Sequence, residues 1–164
     1  MTIQPAGTSR MKIVILGGTG LIGRALYESF SNDHEALCFN RDAFQSIEHL
    51  TSIVEGSDLV IQLSGSTISK RWSTKVINEM WQSRVNTNQM LSKVVKTLIN
   101  KPRVICASGI SFYEESNCED PKTEEDSMGG GYLTGLNIAI EDAARSISED
   151  VTILRFGVVL SREG

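Results

Sequence analysis

A cluster of glycines between two apolar segments constrains the fold of this chain more than any other feature. Residues 17–23 read Gly-Gly-Thr-Gly-Leu-Ile-Gly, and they follow the β-branched apolar run Lys12–Leu16. After them, apolar residues recur at helical spacing as far as Phe30. A short apolar run ended by glycine is typical of a strand buried on both faces. The sequence therefore predicts a strand, a tight turn and a helix in direct succession.

The remainder of the chain alternates in the same way. We expect four further strands, at 35–39, 58–63, 103–107 and 151–160. Besides the helix at 21–30, we expect helices at 42–54, capped by Asp42, at 73–98, capped by Ser73, and at 133–147. A long polar loop spans 108–131. Strands that alternate with helices predict the α/β class, here a Rossmann-type doubly wound parallel sheet with helices on both faces.

Length and composition agree with one ordinary globular domain. The chain has 164 residues, 40% of them hydrophobic and 22% charged. We expect one domain over 11–164 and a disordered leader or cloning remnant over 1–10. No apolar run reaches the ~20 residues of a membrane-spanning helix. The net charge is −4 and no block of like charges is present, so neither a membrane nor nucleic acid is an expected partner.

The cysteines provide information about the compartment. Cys38, Cys106 and Cys118 are odd in number and share no metal-ligand spacing. An odd set of unpaired cysteines suits a reducing compartment better than a disulfide framework. We therefore expect a cytoplasmic protein without a metal site.

The glycine cluster has the spacing of a phosphate-binding turn. Gly17 would permit the tight turn, Gly20 would let the backbone approach a pyrophosphate, and Gly23 would let helix and strand pack closely. The helix start would add unpaired N–H groups and a positive dipole end. The sequence thus predicts that a dinucleotide cofactor binds at Gly17, Thr19, Gly20, Leu21, Ile22 and Gly23. A purely structural turn is the alternative.

The end of the second strand bears on which dinucleotide binds. A carboxylate at that position bonds the ribose 2′-hydroxyl of NAD, whereas a cation accommodates the 2′-phosphate of NADP. Here the chain reads Asn40-Arg41, and Arg24 could add a second positive charge. We therefore expect NADP(H) rather than NAD(H). Two alternatives stay open: Asp42 would favour NAD if the strand ended one residue later, and Arg41 could be a solvated surface charge.

Five segments together resemble a known family. The chain is similar to extended, atypical short-chain dehydrogenases/reductases, specifically the epimerase-like family often labelled cell-division-inhibitor-like or sugar-nucleotide epimerase. The segments that carry this resemblance are Gly17–Gly23, Asn40-Arg41, Asp58–Gly65, Lys70-Arg71-Trp72 with Ser83-Arg84, and Leu154–Leu160.

The resemblance implies further cofactor contacts. Asn40 and Arg41 would hold the adenosine phosphate, and Leu63, Ser64 and Gly65 would lie along the cofactor. The remaining implied contacts are Glu79, Arg84 and Val158. For Glu79 a solvated helix position is an equal alternative, and for Arg84 an exposed ion pair. The implied activity is that of an NADP(H)-dependent oxidoreductase or epimerase-like enzyme acting on a small molecule, such as a sugar nucleotide or another carbonyl compound.

The catalytic residues of the wider superfamily are only partly present. Its members use a serine after the fourth conserved strand and a Tyr-x-x-x-Lys pair on the next helix. Ser108 occupies the serine position, but the fourth residue after Tyr132 is Leu136. The register set by Glu141 places Leu133 and Asn137 at the two positions, again without lysine. The candidates that remain are Ser108, Tyr113 and Tyr132.

The chain also ends at Gly164, where the resemblance implies a further C-terminal lobe. We expect that lobe to be absent here, and the surface left exposed would favour a homo-oligomer. The alternative to an enzyme is a non-catalytic NAD(P)-binding sensor or regulatory module, or a fragment without activity.

Overall fold

Five short apolar segments form one parallel sheet in the computed structural model, which describes residues 9–114 and 121–161. The strands are β1 (Lys12–Leu16), β2 (Glu35–Phe39), β3 (Leu59–Gln62), β4 (Arg103–Gly109) and β5 (Thr152–Phe156). Their order across the sheet is β2-β1-β3-β4-β5, and every pair is parallel. This confirms the predicted α/β class. Most of the predicted leader and Cys118 lie outside the described residues.

The helices connect successive strands. They are α1 (Leu21–Phe30), α2 (Ile47–Val54), α3 (Thr74–Trp81), α4 (Thr87–Thr97) and α5 (Tyr132–Arg145). Short 3-10 turns cover Arg41–Phe44 and Ile110–Phe112, and a π-helical turn, Gln82–Asn86, joins α3 to α4.

Both faces of the sheet carry a hydrophobic core. On one face Val14, Leu16, Val60 and Val104 pack in one cluster with side chains of α2, α4 and α5. On the other face Ile13, Ile15 and Ile61 form a smaller cluster against α1, through Leu26 and Phe30. Residues 13–16 of β1 are fully buried, as expected of a strand covered on both sides.

The strand register brings the carboxyl ends of the strands level. Leu16 pairs with Phe39 on one side and with Gln62 on the other, and Gln62 pairs in turn with Cys106. The loops that follow these residues therefore meet along one edge of the sheet. That edge is where open parallel α/β sheets bind ligands.

Two predicted boundaries were wrong. The fifth strand ends at Phe156 rather than Leu160, because its partner β4 ends at Gly109, which is paired with Phe156. The helix expected from Asp42 starts instead at Ile47, where Ser46 accepts the His49 N–H at 3.1 Å. Asp42 lies in the preceding 3-10 turn, which turns Ala43 into the core.

The long helix expected over 73–98 is divided. Its predicted cap is confirmed, because the hydroxyl of Ser73 accepts the Val76 N–H at 3.4 Å. The helix then continues through the π-helical turn of residues 82–86 into α4. Such turns insert extra backbone into a helix and are frequent at functional sites. Among the described residues, no helix is long and apolar enough to cross a membrane.

Candidate functional site

The glycine loop packs directly against the end of β3. Gly17 has a φ of +94°, a conformation that side chains rarely adopt. A β-carbon at Gly17 would also lie 2.8 Å from the carbonyl carbon of Leu63 and 2.9 Å from the nitrogen of Ser64. Both facts require glycine at this position.

Gly23 allows the first turn of α1 to lie on the loop. A β-carbon there would lie 2.5 Å from the Gly17 oxygen and 2.7 Å from the Gly18 Cα. Gly20 occupies the N-cap position and, without a side chain, provides no capping hydrogen bond. The start of α1 borders a cleft of about 200 Å³ that Gly17, Gly20, Leu21, Ile22 and Gly23 line. Uncapped N–H groups and a positive dipole end suit this cleft to an anion.

Thr19, in the middle of the loop, is held from two sides. The side-chain oxygen of Asn40 accepts hydrogen bonds from the Thr19 N–H at 3.2 Å and from its hydroxyl at 2.9 Å. Arg24 donates to the Thr19 carbonyl at 2.9 Å. Asn40 and Arg24 therefore fix the shape of the loop, a role that their positions in the sequence did not suggest.

Arg41 lies on the rim of the same site. It is exposed, and together with Gly17, Thr19, Gly20 and Asn40 it lines a cleft of about 450 Å³. The lining of this cleft includes Arg41 but not its neighbour Asp42. Of these two neighbouring charges, a ligand in this cleft would therefore meet Arg41 and not Asp42.

A ridge formed by Leu63, Ser64 and Gly65 separates this cleft from another of about 380 Å³. We call the latter the inner cleft. Besides the ridge it is lined by Gln62 and Arg84, and by residues that follow β4 and β5, among them Ser108, Gly109, Phe156 and Val158.

Arg84 lies beneath the ridge. Its Nη2 donates to the Ser66 carbonyl at 2.8 Å. A β-carbon at Gly65 would lie 2.8 Å from the Arg84 Cζ, so the guanidinium packs against the backbone of Gly65. Burial lowers the pKa of Arg84 below its ordinary value, and the nearby Tyr132 offsets this only in part. Arg84 is half-buried, and in residues 9–114 and 121–161 no carboxylate forms an ion pair with it. Within those residues the structure thus does not contain the exposed ion pair that was the alternative for Arg84.

Glu79 and Val158 lie at the margins of the two clefts. Glu79 lines the 450 Å³ cleft and forms an ion pair with Lys70 at 3.6 Å, with 38% of its side chain exposed. Val158 is 86% exposed at the mouth of the inner cleft.

The three catalytic candidates are divided between two places. Ser108 donates to Glu141 at 2.9 Å, and the hydroxyl oxygen of Tyr113 accepts from Arg155. Tyr132 lies apart, with its hydroxyl 3.3 Å from the Ile77 carbonyl oxygen and its ring edge-on to Trp72. Ser108 and Tyr113 are therefore connected by hydrogen bonds through Glu141 and Arg155. Tyr132 is not part of this network.

Glu141 and Arg155 form the centre of that network. Arg155 binds both carboxylate oxygens of Glu141, at 2.7 and 2.8 Å, and its guanidinium stacks 3.6 Å from the Phe112 ring centroid. Glu141 is fully buried. Burial alone would raise the pKa of Glu141, but hydrogen bonds from Arg155, Ser108 and Arg145 outweigh it and hold that pKa below its usual value. The hydrogen bonds from Arg155 to Glu141 raise the pKa of Arg155.

Three buried side-chain atoms in the described part of the chain lack a hydrogen-bond partner. They are Gln62 Nε2, Ser64 Oγ and Arg84 Nη1. All three residues line the inner cleft. Sequence reasoning did not single out Gln62, although a glutamine at the end of an apolar strand was a visible signal. No cluster of three or more His, Cys, Asp or Glu suited to a metal is found among the described residues.

Comparison with known proteins identifies the family. The family model described as the NAD dependent epimerase/dehydratase family matches residues 13–134. The chain belongs to this family. This confirms the resemblance inferred from the sequence and places the glycine loop, the ridge and the catalytic candidates in the epimerase-matched region.

Among curated relatives, the mouse epimerase family protein SDR39U1 is 29% identical over 167 residues, which cover 94% of this chain and 56% of the relative. The epimerase family protein SSP1921 of Staphylococcus saprophyticus is 26% identical, with 92% and 56% covered. The chain thus spans about half the length of these relatives.

Two of the solved structures that match this chain illustrate the shared fold. Human SDR39U1 (isoform 2), crystallised with NADPH, has a TM-score of 0.76 and 27% identity, with 94% of this chain and 56% of that one covered. The nucleoside-diphosphate sugar epimerase of Corynebacterium glutamicum has a TM-score of 0.78 and 26% identity, with 95% and 36% covered. Their similarity to this chain confirms the Rossmann-type architecture of this epimerase-family chain.

Proposed function

We propose that this chain binds NADP(H) and serves as the cofactor-binding part of an oxidoreductase or epimerase-like enzyme that acts on a small molecule. One observation carries the proposal: Arg41 lines the same cleft as the glycine loop, and Asp42 does not. The NADPH in the structure of human SDR39U1 supports it. The free thiols of Cys38 and Cys106 are compatible with a cytoplasmic setting, which is part of the proposal.

The residues present fit a dinucleotide. The start of α1 would hold the pyrophosphate, and Arg41 the 2′-phosphate. The ridge Leu63–Gly65 would lie along the cofactor, with Asn40 bracing Thr19 in the loop. Glu79, Arg84 and Val158 border the two clefts on either side of that ridge. When bound, the nicotinamide supplies hydride transfer, and the protein supplies position and electrostatics.

Tyr113 is the residue that we propose as proton donor to a substrate oxygen. Because the hydroxyl oxygen of Tyr113 accepts a hydrogen bond from Arg155, its own proton is available to another acceptor. Tyr113 lines an open cleft of about 1060 Å³, together with Trp72, Ser111 and Tyr132. Ser108 has a supporting role in this proposal, since its hydroxyl is already bound to Glu141.

Titration of Trp72 and Trp81 fluorescence with NADPH and with NADH tests the cofactor. Both indoles are partly exposed, which suits them as reporters. We expect tighter binding of NADPH, and we expect Arg41→Ala to weaken NADPH binding roughly tenfold while leaving NADH binding nearly unchanged, because a charge-assisted hydrogen bond to the 2′-phosphate is lost.

Arg103→Ala is the matched control. Arg103 is also exposed but lies at the amino end of β4, at the opposite edge of the sheet. It should leave both affinities unchanged. Equal affinities for the two cofactors, or an equal loss of both in Arg41→Ala, would contradict the NADP(H) assignment.

A non-catalytic NADP(H)-binding module is the second candidate. It is favoured by Asn137, which occupies the lysine position in one register and donates its amide to the Gly109 carbonyl at 3.2 Å. An amide cannot supply the positive charge of a lysine. Oxidation of NADPH with a panel of carbonyl compounds and nucleotide sugars separates the two functions: turnover of any of them supports the enzyme, and tight binding without turnover supports the module.

A further inference from the structure

Two aromatic side chains meet in the open cleft of about 1060 Å³ that Tyr113 lines, which we call the outer cleft. Trp72 comes from the loop between β3 and α3, and Tyr132 is the first residue of α5. Their ring centroids are 5.5 Å apart and their planes meet at 66°, so we call the pair the aromatic corner. In an edge-to-face pair one ring covers at most one face of the other, and Trp72 is 44% exposed. The corner therefore leaves an aromatic face open to a ligand.

The hydrogen-bond donors of the aromatic corner are already in use. The indole Nε1 of Trp72 donates to the Ile68 carbonyl at 3.1 Å, and the Tyr132 hydroxyl donates to the Ile77 carbonyl at 3.3 Å. These two bonds hold both rings in place before any ligand binds, which lowers the cost of binding. A ligand at the corner would meet ring faces and edges rather than free donors from this pair.

The neighbouring part of the outer cleft is also largely apolar. Ile110, which is 51% exposed, and Leu133 contribute aliphatic side chains. Thr134 is only 4% exposed, and its hydroxyl donates to the Ser111 carbonyl at 2.8 Å. Sites for small molecules typically combine such an apolar and aromatic lining with a few polar groups that orient the ligand.

The charged residues of the described lining are one of each sign, Glu114 and Lys122. A nucleotide sugar carries a diphosphate, and holding such an anion requires an excess of cationic donors around it. One lysine offset by one glutamate does not supply that excess. The described part of the outer cleft is therefore better suited to a neutral molecule.

The outer cleft adjoins the inner cleft, because Ile110, Ser111 and Leu133 line both. The inner cleft lies beside the ridge along which we place the cofactor. Tyr113, the proposed proton donor, lines the outer cleft, and its hydroxyl proton is available because Arg155 donates to its oxygen. A molecule on the aromatic corner would therefore share a cleft with the proton donor and lie next to the cofactor.

From this arrangement we propose that Trp72 and Tyr132 bind the aromatic ring of the substrate, a neutral ketone or aldehyde whose carbonyl group is attached to that ring. This inference rests on the proposed function and names its substrate class. The ring stacks on the open face of the aromatic corner, and the carbonyl oxygen accepts the hydrogen bond of Tyr113.

The test compares acetophenone with cyclohexyl methyl ketone, which has the same carbonyl group on a saturated ring. Each is titrated into ¹⁵N-labelled protein saturated with NADP⁺, which cannot reduce them, and the indole N–H signals of Trp72 and Trp81 are followed by NMR. Trp81 is 40% exposed but is not among the lining residues, so its signal is an internal control. We expect the Trp72 signal to saturate with about fivefold higher affinity for acetophenone, and the Trp81 signal to stay in place. Equal affinities for the two ketones would overturn the proposal.

Two substitutions of Trp72 separate the aromatic face from the shape of the loop. Trp72→Leu and Trp72→Phe both lose the hydrogen bond to Ile68, but only phenylalanine keeps an aromatic ring. With the backbone amide of Leu133 as reporter, Trp72→Leu should weaken acetophenone binding about fivefold and Trp72→Phe less than about twofold. Tyr27→Leu, at a 42% exposed aromatic residue of α1, is the matched control and should leave binding unchanged. An equal loss in both Trp72 variants would overturn the proposal.

Further outcomes separate this proposal from the proposed function. If NADP⁺ does not bind, as judged by tryptophan fluorescence, the proposed function fails. The same titrations of the free protein then decide on the aromatic corner alone: a preference for acetophenone supports it, and equal or absent binding overturns it. If NADP⁺ binds and UDP-glucose saturates the Trp72 signal while acetophenone does not, the corner serves a nucleotide sugar and only the present proposal is overturned. A Trp72 signal that shifts with protein concentration alone, and with neither ketone, would identify a contact between copies of the chain and would also overturn it.

Discussion

Two helical glycines of this chain differ in what surrounds them. Gly23, in the first turn of α1, packs against Gly17 and Gly18, whereas Gly135, in α5, has open space where a β-carbon would lie. Helix propensity alone favours alanine over glycine at both positions, by roughly 0.5–1 kcal/mol. At Gly23 the contact with backbone atoms should outweigh that gain.

We therefore predict opposite effects of the same substitution. Gly135→Ala should raise the free energy of unfolding by about 0.5–1 kcal/mol, and Gly23→Ala should lower it by about 1–3 kcal/mol through overpacking. Urea denaturation followed by circular dichroism measures both. If both variants are stabilised, the close packing of α1 on the glycine loop is not as described.

Single residues also show what the sequence could and could not predict. The requirement for glycine at position 17 follows from a pattern of neighbours along the chain. The burial of Arg84 does not follow from such a pattern. It depends on the π-helical turn that contains Arg84 and on the packing of its side chain beneath Gly65. For Ser108, the position was visible in the sequence but its hydrogen bond to Glu141, 33 residues away, was not.

At the scale of elements, the start of α2 distinguishes two capping residues. The sequence favoured Asp42, whereas in the structure Ser46 accepts the N–H of His49. We predict that Ser46→Ala lowers the free energy of unfolding by about 1 kcal/mol, the usual cost of a lost N-cap. Asp42→Ala should change it by less than about 0.5 kcal/mol, as expected of an exposed side chain without this role.

Chemical denaturation of the two variants in parallel decides between the caps. A larger decrease of the free energy of unfolding in Asp42→Ala than in Ser46→Ala would support the helix start at Asp42 that the sequence suggested. Both residues belong to the segment between β2 and β3, so the comparison is made in one local environment.

Element lengths were predictable only where local signals determine them. β1, α1 and β2 have the bounds expected from periodicity, because glycine or polar residues follow each of them directly. The end of β5 depends instead on its partner: the chain after Phe156 is still apolar, but β4 has ended. No pattern within residues 151–160 indicates where β5 ends.

At the scale of the whole molecule, Glu141 connects three elements. It lies on α5 and binds Ser108 at the end of β4 and Arg155 on β5. Its pKa is held below the usual value, because the hydrogen bonds outweigh the effect of burial. The contribution of Glu141 to stability is therefore complete above its ordinary pKa of 4.5 and is lost as the pH falls through the lower pKa of the folded state.

We predict that Glu141→Gln lowers the free energy of unfolding at pH 7 by about 3 kcal/mol or more, since it leaves Arg155 without its partner charge. The difference from the parent should shrink as the pH falls below 4.5, when the parent carboxylate is protonated on unfolding. Urea titrations from pH 7 to pH 3 measure this difference.

Asp142→Asn is the control for the loss of a carboxylate. Asp142 is the next residue of α5, with 70% of its side chain exposed and an ion pair to Arg145 at 3.5 Å. An exposed pair contributes little, so this variant should remain within about 1 kcal/mol of the parent at every pH. A difference between Glu141→Gln and the parent that does not vary with pH would contradict the assignment.

Gly65 bears on how the ligand preference of the clefts on either side of it can change. The atoms nearest to a β-carbon at this position belong to the end of the Arg84 side chain, which is flexible, rather than to backbone. A methyl group there would therefore displace the guanidinium without unfolding the chain. The residue at position 65 thus determines where the positive charge of Arg84 lies. A substitution there can change the preferred ligand although no charged residue is replaced.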